Sequence, residues 1–313
     1  MLISQPLGRQ TITLFDMHIM VDWSSVNQPK IGLNSIWYAL LDVNRKFLTT
    51  HNPPTRRQAH AEIRGLLHNA ITEGKRVLIG FDFAFGFPLW FANCVSSRIP
   101  PWKAVWQKIT NLYLDDENNR SNRFEVAAKL NKEFTGEAYP FWGCPTKQVT
   151  RYLDSHKHTP IGCEEFRLTA KIVTGPQSAF KLFGPGSVGS QSLTGIPYLM
   201  QLRYDKTIAR YAKVWPFDTD FVVPSTKRGT PSIVFVEIYP SIFPIRVQAN
   251  EVRDNLQVQA CANFFAKKDA AARLERLFRL DSQAIEQYRN RIVSAEGWIL
   301  GLNSSVPNGG LHA

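Results

Sequence analysis

"GFDFAFGFP", residues 80–88, decides the fold. It lies in the most apolar part of the chain, Val77 to Val95, where Asp82 is the single charged residue. Such a stretch approaches membrane-spanning length. The detail argues otherwise: Asp82 would be costly in lipid, Pro88 would interrupt a helix, and Gly80 and Gly86 would weaken it. The stretch "RVLIGFDF" (76–83) reads instead as a buried strand, continuously apolar because both of its faces are covered. Asp82 then stands at the carboxyl end of that strand.

Working outward, "HIMVDWSS" (18–25) is a short apolar run ending in a polar turn. "SIWYALLDV" (35–43) and "KFLTT" (46–50), split by Asn44-Arg45, read as a hairpin. Ile63, Leu66, Leu67, Ala70 and Ile71 recur at helical spacing, which predicts a helix over 55–73 that Gly74 ends. A second buried strand is expected in "PSIVFVEIYPSIF" (231–243), then a long helix over 251–280 and a last helical stretch from Ser282. Three strands, a helix, a strand, an interruption, a strand and helices give an α/β fold with a mixed sheet, an antiparallel meander first and crossovers afterwards. The interruption, 84–231, mixes Trp, Pro and Gly with short helical patterns ("PPWKAVWQKITNLYLDD", "SNRFEVAAKLNKEF") and reads as a long insertion or cap. The core is then 17–83 and 232–303, with an extension at 1–16 and a tail at 304–313.

The 313 residues suffice for a sizeable core. The N-terminus lacks the basic start and apolar run of a signal peptide. Four well-separated cysteines without a C-x-x-C pair suit free thiols in a reducing, cytoplasmic setting. The net charge is +11, and residues 84–231 carry 19 Lys and Arg against 12 Asp and Glu. A basic balance favours a polyanionic partner such as nucleic acid, or is simply a solvated basic surface.

The acids carry the chemistry. Asp22 ends the first strand, Asp82 the fourth and Glu237 the later one, and ligands of open α/β sheets bind outside the carboxyl ends of strands. On the long helix Asp254 shares a face with Val258, Cys261 and Phe265, so it points at the sheet, whereas Asp269 is about 22 Å further along at ~1.5 Å per residue. Clustered carboxylates must protonate, shift their pKa values or bind a cation, and hard oxygen ligands suit Mg²⁺ or Mn²⁺. Such ions activate water for phosphodiester cleavage. Taken singly, each strand-end acid is better explained as a cap or turn former, and Glu237 could instead bond a neighbouring loop; the case rests on their coincidence.

The order of elements resembles the RNase H-like arrangement, in which RuvC-type resolvases take acids from the first strand, the fourth strand and the last helix. "VDWSS", "GFDFAFGFP", "VEIYPS" and "RDNLQVQACA", with "AEGWILGL" near the end, resemble the motifs of a family of predicted RNase H-like nucleases (domain of unknown function 429). The resemblance implies that Asp22, Asp82 and Asp254 hold metal and that Glu237 is a ligand or a water-orienting base. It departs at Gln257, where the family commonly has a second acid, and it does not cover 89–230.

Other patterns are weaker. Gly184, Gly186 and Gly189 form G-x-G-x-x-G without a convincing strand before it, so a turn packed on the core is the plainer reading, with Ser187 or Ser190 contacting a substrate phosphate as a middle one. Cys144, His156, His158 and Cys163 lack the spacing of a structural zinc site. Trp102 and Trp106 fit core packing, while Lys147, after the aromatic loop "FWGCPTKQ", is a candidate substrate contact. A metal-dependent nuclease is therefore expected. The alternatives are a nucleotide-binding phosphotransferase, which the absence of a Gly-rich hairpin after Asp22 disfavours, and a non-catalytic binding module that lost a ligand at Gln257.

Overall fold

The computed structural model describes residues 13–44, 46–95, 98–158, 163–173, 177–224, 227–280 and 283–302. The expected tail at 304–313, and residues 1–12 of the expected extension, lie outside them. Six strands form one sheet: β1 (Met17–Asp22), β2 (Trp37–Asp42), β3 (Phe47–His51), β4 (Arg76–Phe81), β5 (Ala212–Val214) and β6 (Ser232–Glu237). Their order is β3-β2-β1-β4-β6-β5. β1, β2 and β3 form the antiparallel meander, and β1–β4, β4–β6 and β6–β5 are parallel. The mixed α/β sheet expected from the sequence is present.

The helices that position the site are α1 (Arg56–Thr72), α2 (Leu89–Cys94), α3 (Pro101–Leu112), α4 (Arg123–Phe134), α5 (Leu168–Ile172), α6 (Val188–Arg203) and α7 (Arg253–Ala270); the last helical stretch is broken into short pieces, Gln283–Glu286 and Arg289–Arg291. Strand alternation divides the core into two layers. Ile19, Val21, Ile79, Phe81, Ile233 and Phe235 face α1, α3, α4 and α6, whereas Met20, Leu78, Val234, Val236 and Ile238 face α7.

Three expectations need correction. Residues 84–231, expected to be an insertion or cap, join the core rather than cover it: α3, α4 and α6 bury Trp106, Ile109, Leu130, Leu193 and Ile196 in the same layer as the strands, and β5 completes the sheet. The core begins before Met17, because Phe15 is fully buried and Asp16 forms an ion pair with Arg76 (2.8 Å). The long helix stops at Ala270; Ala272 takes φ +53°, and Leu274–Phe278 is a separate 3₁₀ turn.

The opening stretch is now explained. Phe83, Phe85 and Phe87 are almost wholly buried, and the Trp106 indole N–H donates to the Phe85 carbonyl (2.6 Å). Gly80 and Gly86 are there because side chains would not fit. A Cβ at Gly80 would lie 2.6 Å from Ile238, and one at Gly86 would lie 2.2 Å from the Ala295 carbonyl. Among the described residues no helix is long and apolar enough to cross a membrane.

Candidate functional site

β1 and β4 run side by side in register, Val21 opposite Phe81, so Asp22 and Asp82 leave the sheet next to each other. The backbone N–H of Asp82 still donates to the Val21 carbonyl (3.2 Å). Both acids have the parity of Met20 and Leu78 and therefore turn toward α7. Their carboxyls come within hydrogen-bonding reach of each other, and Asp254, in the first turn of α7, adds its charge.

Burial, then Asp82 and Asp254, push the Asp22 carboxyl well above the usual carboxylate range. Burial raises Asp82 to about 6, against the Trp23 N–H that its Oδ1 accepts (2.7 Å). Burial also raises Asp254, opposed by the Asn34 N–H (2.6 Å) and by the charges of Arg253 and Lys30. A proton or a cation must therefore sit between Asp22 and Asp82.

The pair opens on two spaces. One is a cavity of 260 Å³ beyond the carboxyl ends of β1, β4 and β6, bordered also by Glu237, Tyr239, Ser241 and Gln257. The other is a groove of 340 Å³ bordered by Asp22, Asp254, Ser24, Ser25, Ser35 and Ser187. Gln191, in the first turn of α6, borders both; its Nε2 donates to the Trp23 carbonyl (2.8 Å) and reaches toward Asp82 Oδ2 (3.5 Å).

Glu237 is not a third acid of this cluster. In the sheet register it pairs with Phe81, not Asp82, so it has the parity of Phe235 and leaves the sheet on the opposite face. There its Oε2 accepts the Phe85 N–H (2.9 Å) and its two oxygens clasp the Arg167 guanidinium, so its charge is paired rather than offered to the Asp22–Asp82 cluster. The loop contact considered for Glu237 from sequence is the one that forms.

Ser190 is also structural. Its buried hydroxyl donates to the Leu182 carbonyl (2.6 Å) and accepts from Arg123 (3.1 Å). Lys147 lies exposed on the turn Thr146–Gln148 and borders neither space. Ser187 does border the groove, as the residue capping α6.

The glycine motif is a turn packed on the core. Gly184 and Gly186 take positive φ, and a Cβ at Gly189 would lie 2.7 Å from the Ala179 carbonyl. The first N–H groups of α6 are already bonded: those of Val188, Gly189 and Ser190 donate to Gly186, Lys181 and Ser187. They cradle no phosphate.

Sequence reasoning misses two further charged residues: Arg167, which borders the cavity, and Glu296, which lies within the "AEGWILGL" stretch. Arg167 donates to Glu237 and to the Glu296 carbonyl (2.7 Å). The fully buried Glu296 accepts the N–H groups of Leu89 (3.2 Å) and Leu168 (2.7 Å) and pairs with Arg291 (2.6 Å).

Among the described residues no three His, Cys, Asp or Glu side chains converge into a metal cage. His156 and His158 both bind Asp154. The donor chemistry at Asp22 and Asp82 nevertheless fits one hard cation, because Mg²⁺ is commonly held by one or two carboxylates together with water and substrate oxygens. No family model matches the chain, and searches of curated proteins and of solved structures return no match.

Proposed function

We propose that the chain is a metal-dependent phosphodiester hydrolase of RNase H-like architecture, acting on nucleic acid or its fragments. The observation that carries this reading is the contact of two half-buried carboxyls, Asp22 and Asp82, on adjacent parallel strands at the mouth of a cavity. Two acids held together, with no Lys or Arg paired to them among the described residues, need a proton or a cation between them, and a cation gives the pair a use. The antiparallel meander followed by parallel β4, with Asp254 arriving on a late helix, supports the RNase H-like reading.

Asp22 and Asp82 would hold Mg²⁺ or Mn²⁺. Asp254 would add negative charge and accept a proton from a coordinated water. Gln191 would keep Asp82 oriented. A bound divalent ion supplies a water of lowered pKa and offsets charge at phosphorus. Glu237 and Arg167 have a different task, fixing the loop after β4 so that the cavity keeps its shape. The free cysteines suit a cytoplasmic setting for this reaction.

The test is Mn²⁺- and Mg²⁺-dependent cleavage of single-stranded, duplex, hybrid and branched nucleic acids. Wild type is compared with Asp22→Asn and Asp82→Asn, the fold being checked by circular dichroism. Activity should fall ~100-fold or more in each variant, since even residues that only support a metal ligand are worth ~10–100-fold. Full activity in a folded Asp82→Asn protein refutes the reading.

A further inference from the structure

We propose that the substrate is a short phosphodiester, of the size of a dinucleotide, bound across Asp22 with one unit in each of the two spaces; this rests on the hydrolase reading above. Asp22, Gly186 and Gln191 border both spaces, so the reacting acid stands at their junction rather than at the bottom of a single pocket. At 260 and 340 Å³ each space is near the lower end of the ~300–1,000 Å³ typical of small-molecule sites. Each therefore suits one nucleoside-sized unit.

The charge of the walls points the same way. Asp22, Asp82, Glu237 and Asp254 border these spaces, and the one Lys or Arg side chain among the described residues that does so, Arg167, is clasped by Glu237. Lys30 and Arg253 are near enough to act on Asp254 but border neither space. Proteins that hold long nucleic acids do so through Lys and Arg on successive phosphates. These walls would repel every phosphate except the one compensated by a divalent ion between Asp22 and Asp82. Neutral donors remain for the rest of the ligand: Gln257, Tyr239 and Ser241 on one side, Ser25 and Ser187 on the other.

In the reaction, the oxygen of a water bonds to phosphorus and one P–O ester bond breaks. Its electron pair leaves on the departing oxygen, which takes up the proton that the water gave up. A phosphomonoester and an alcohol result, one in each space.

The experiment compares initial rates per bond, with Mn²⁺, on a dinucleoside monophosphate and on a single strand of about twenty nucleotides. Cleavage of the dinucleotide at least ~10-fold faster than of internal bonds in the long strand is the expected result. Internal bonds cleaved as fast or faster overturn the inference and leave the hydrolase reading standing. Cleavage of neither overturns both.

Discussion

Replacing Asp82 by Asn should make the metal-free protein more stable. In the folded state burial holds this carboxyl at about 6, from an ordinary 3.8, and a pKa unit corresponds to ~1.36 kcal/mol. The ceiling is therefore about 3 kcal/mol; the residue keeps some contact with solvent, which brings the expected gain to ~1–3 kcal/mol. The substitution preserves the geometry, since Asn Oδ1 can still accept the Trp23 N–H and its amide can donate to Asp22. The sign follows from proton linkage. The folded state binds this proton more tightly than the unfolded chain, so wild-type stability falls as pH rises between the two values and is then level. The variant's advantage should be full near pH 8 and should shrink to a fraction of that near pH 4, where the carboxyl is protonated in the folded state and about half protonated in the unfolded chain. Urea unfolding in a chelator at both pH values measures it. A variant equal to or weaker than wild type near pH 8, or a gain of the same size near pH 4, refutes the reasoning.

Three further outcomes are expected. Glu237→Gln should destabilise the fold by ~3–5 kcal/mol in urea unfolding, because it leaves the buried Arg167 without its partner; a well-folded variant with only its activity lost would return Glu237 to the catalytic group. Gly86→Ala should lower stability by ~1–3 kcal/mol through its clash with the 295–296 backbone, whereas Gly65→Ala, inside α1 with open space around it, should raise it by ~0.5–1 kcal/mol; thermal melts that rank the two the other way contradict the packing. His18 is fully buried, which lowers its pKa to about 3 although Asp16 opposes the shift. Its contribution to stability is therefore complete above pH 6.5 and is lost as pH falls toward 3, and its imidazole NMR signals should not titrate between about pH 5 and 8.

The sheet and three of the acids were legible because each leaves a local trace. The hairpin has its turn, α1 its period and Asp22 and Asp82 their place after apolar runs, and the stripe with Val258, Cys261 and Phe265 turns Asp254 inward. What escaped depends on relations between distant segments. Glu237 looks equivalent to Asp82 along the chain, yet the pairing of Phe81 with Glu237 sends the two to opposite faces, and register is not written in either strand alone. α6 is buried almost all round, and contains Gly195 against Phe83 as well as Pro197, so it shows no amphipathic stripe and carries two residues that argue against a helix. β5 is three residues long, too short for any period. Arg167 and Glu296 find each other only after the chain has folded.

The loop after β4 has a consequence for synthesis. Leu89 waits for Glu296, 207 residues later, and the Phe87 N–H waits for the Ala295 carbonyl. At ~5–20 residues per second a ribosome takes about 10–40 s to deliver them. During that interval an aromatic segment made early has no C-terminal partner. Apolar surface exposed in this way during synthesis is prone to aggregate, and pauses in translating residues 90–296 lengthen that exposure.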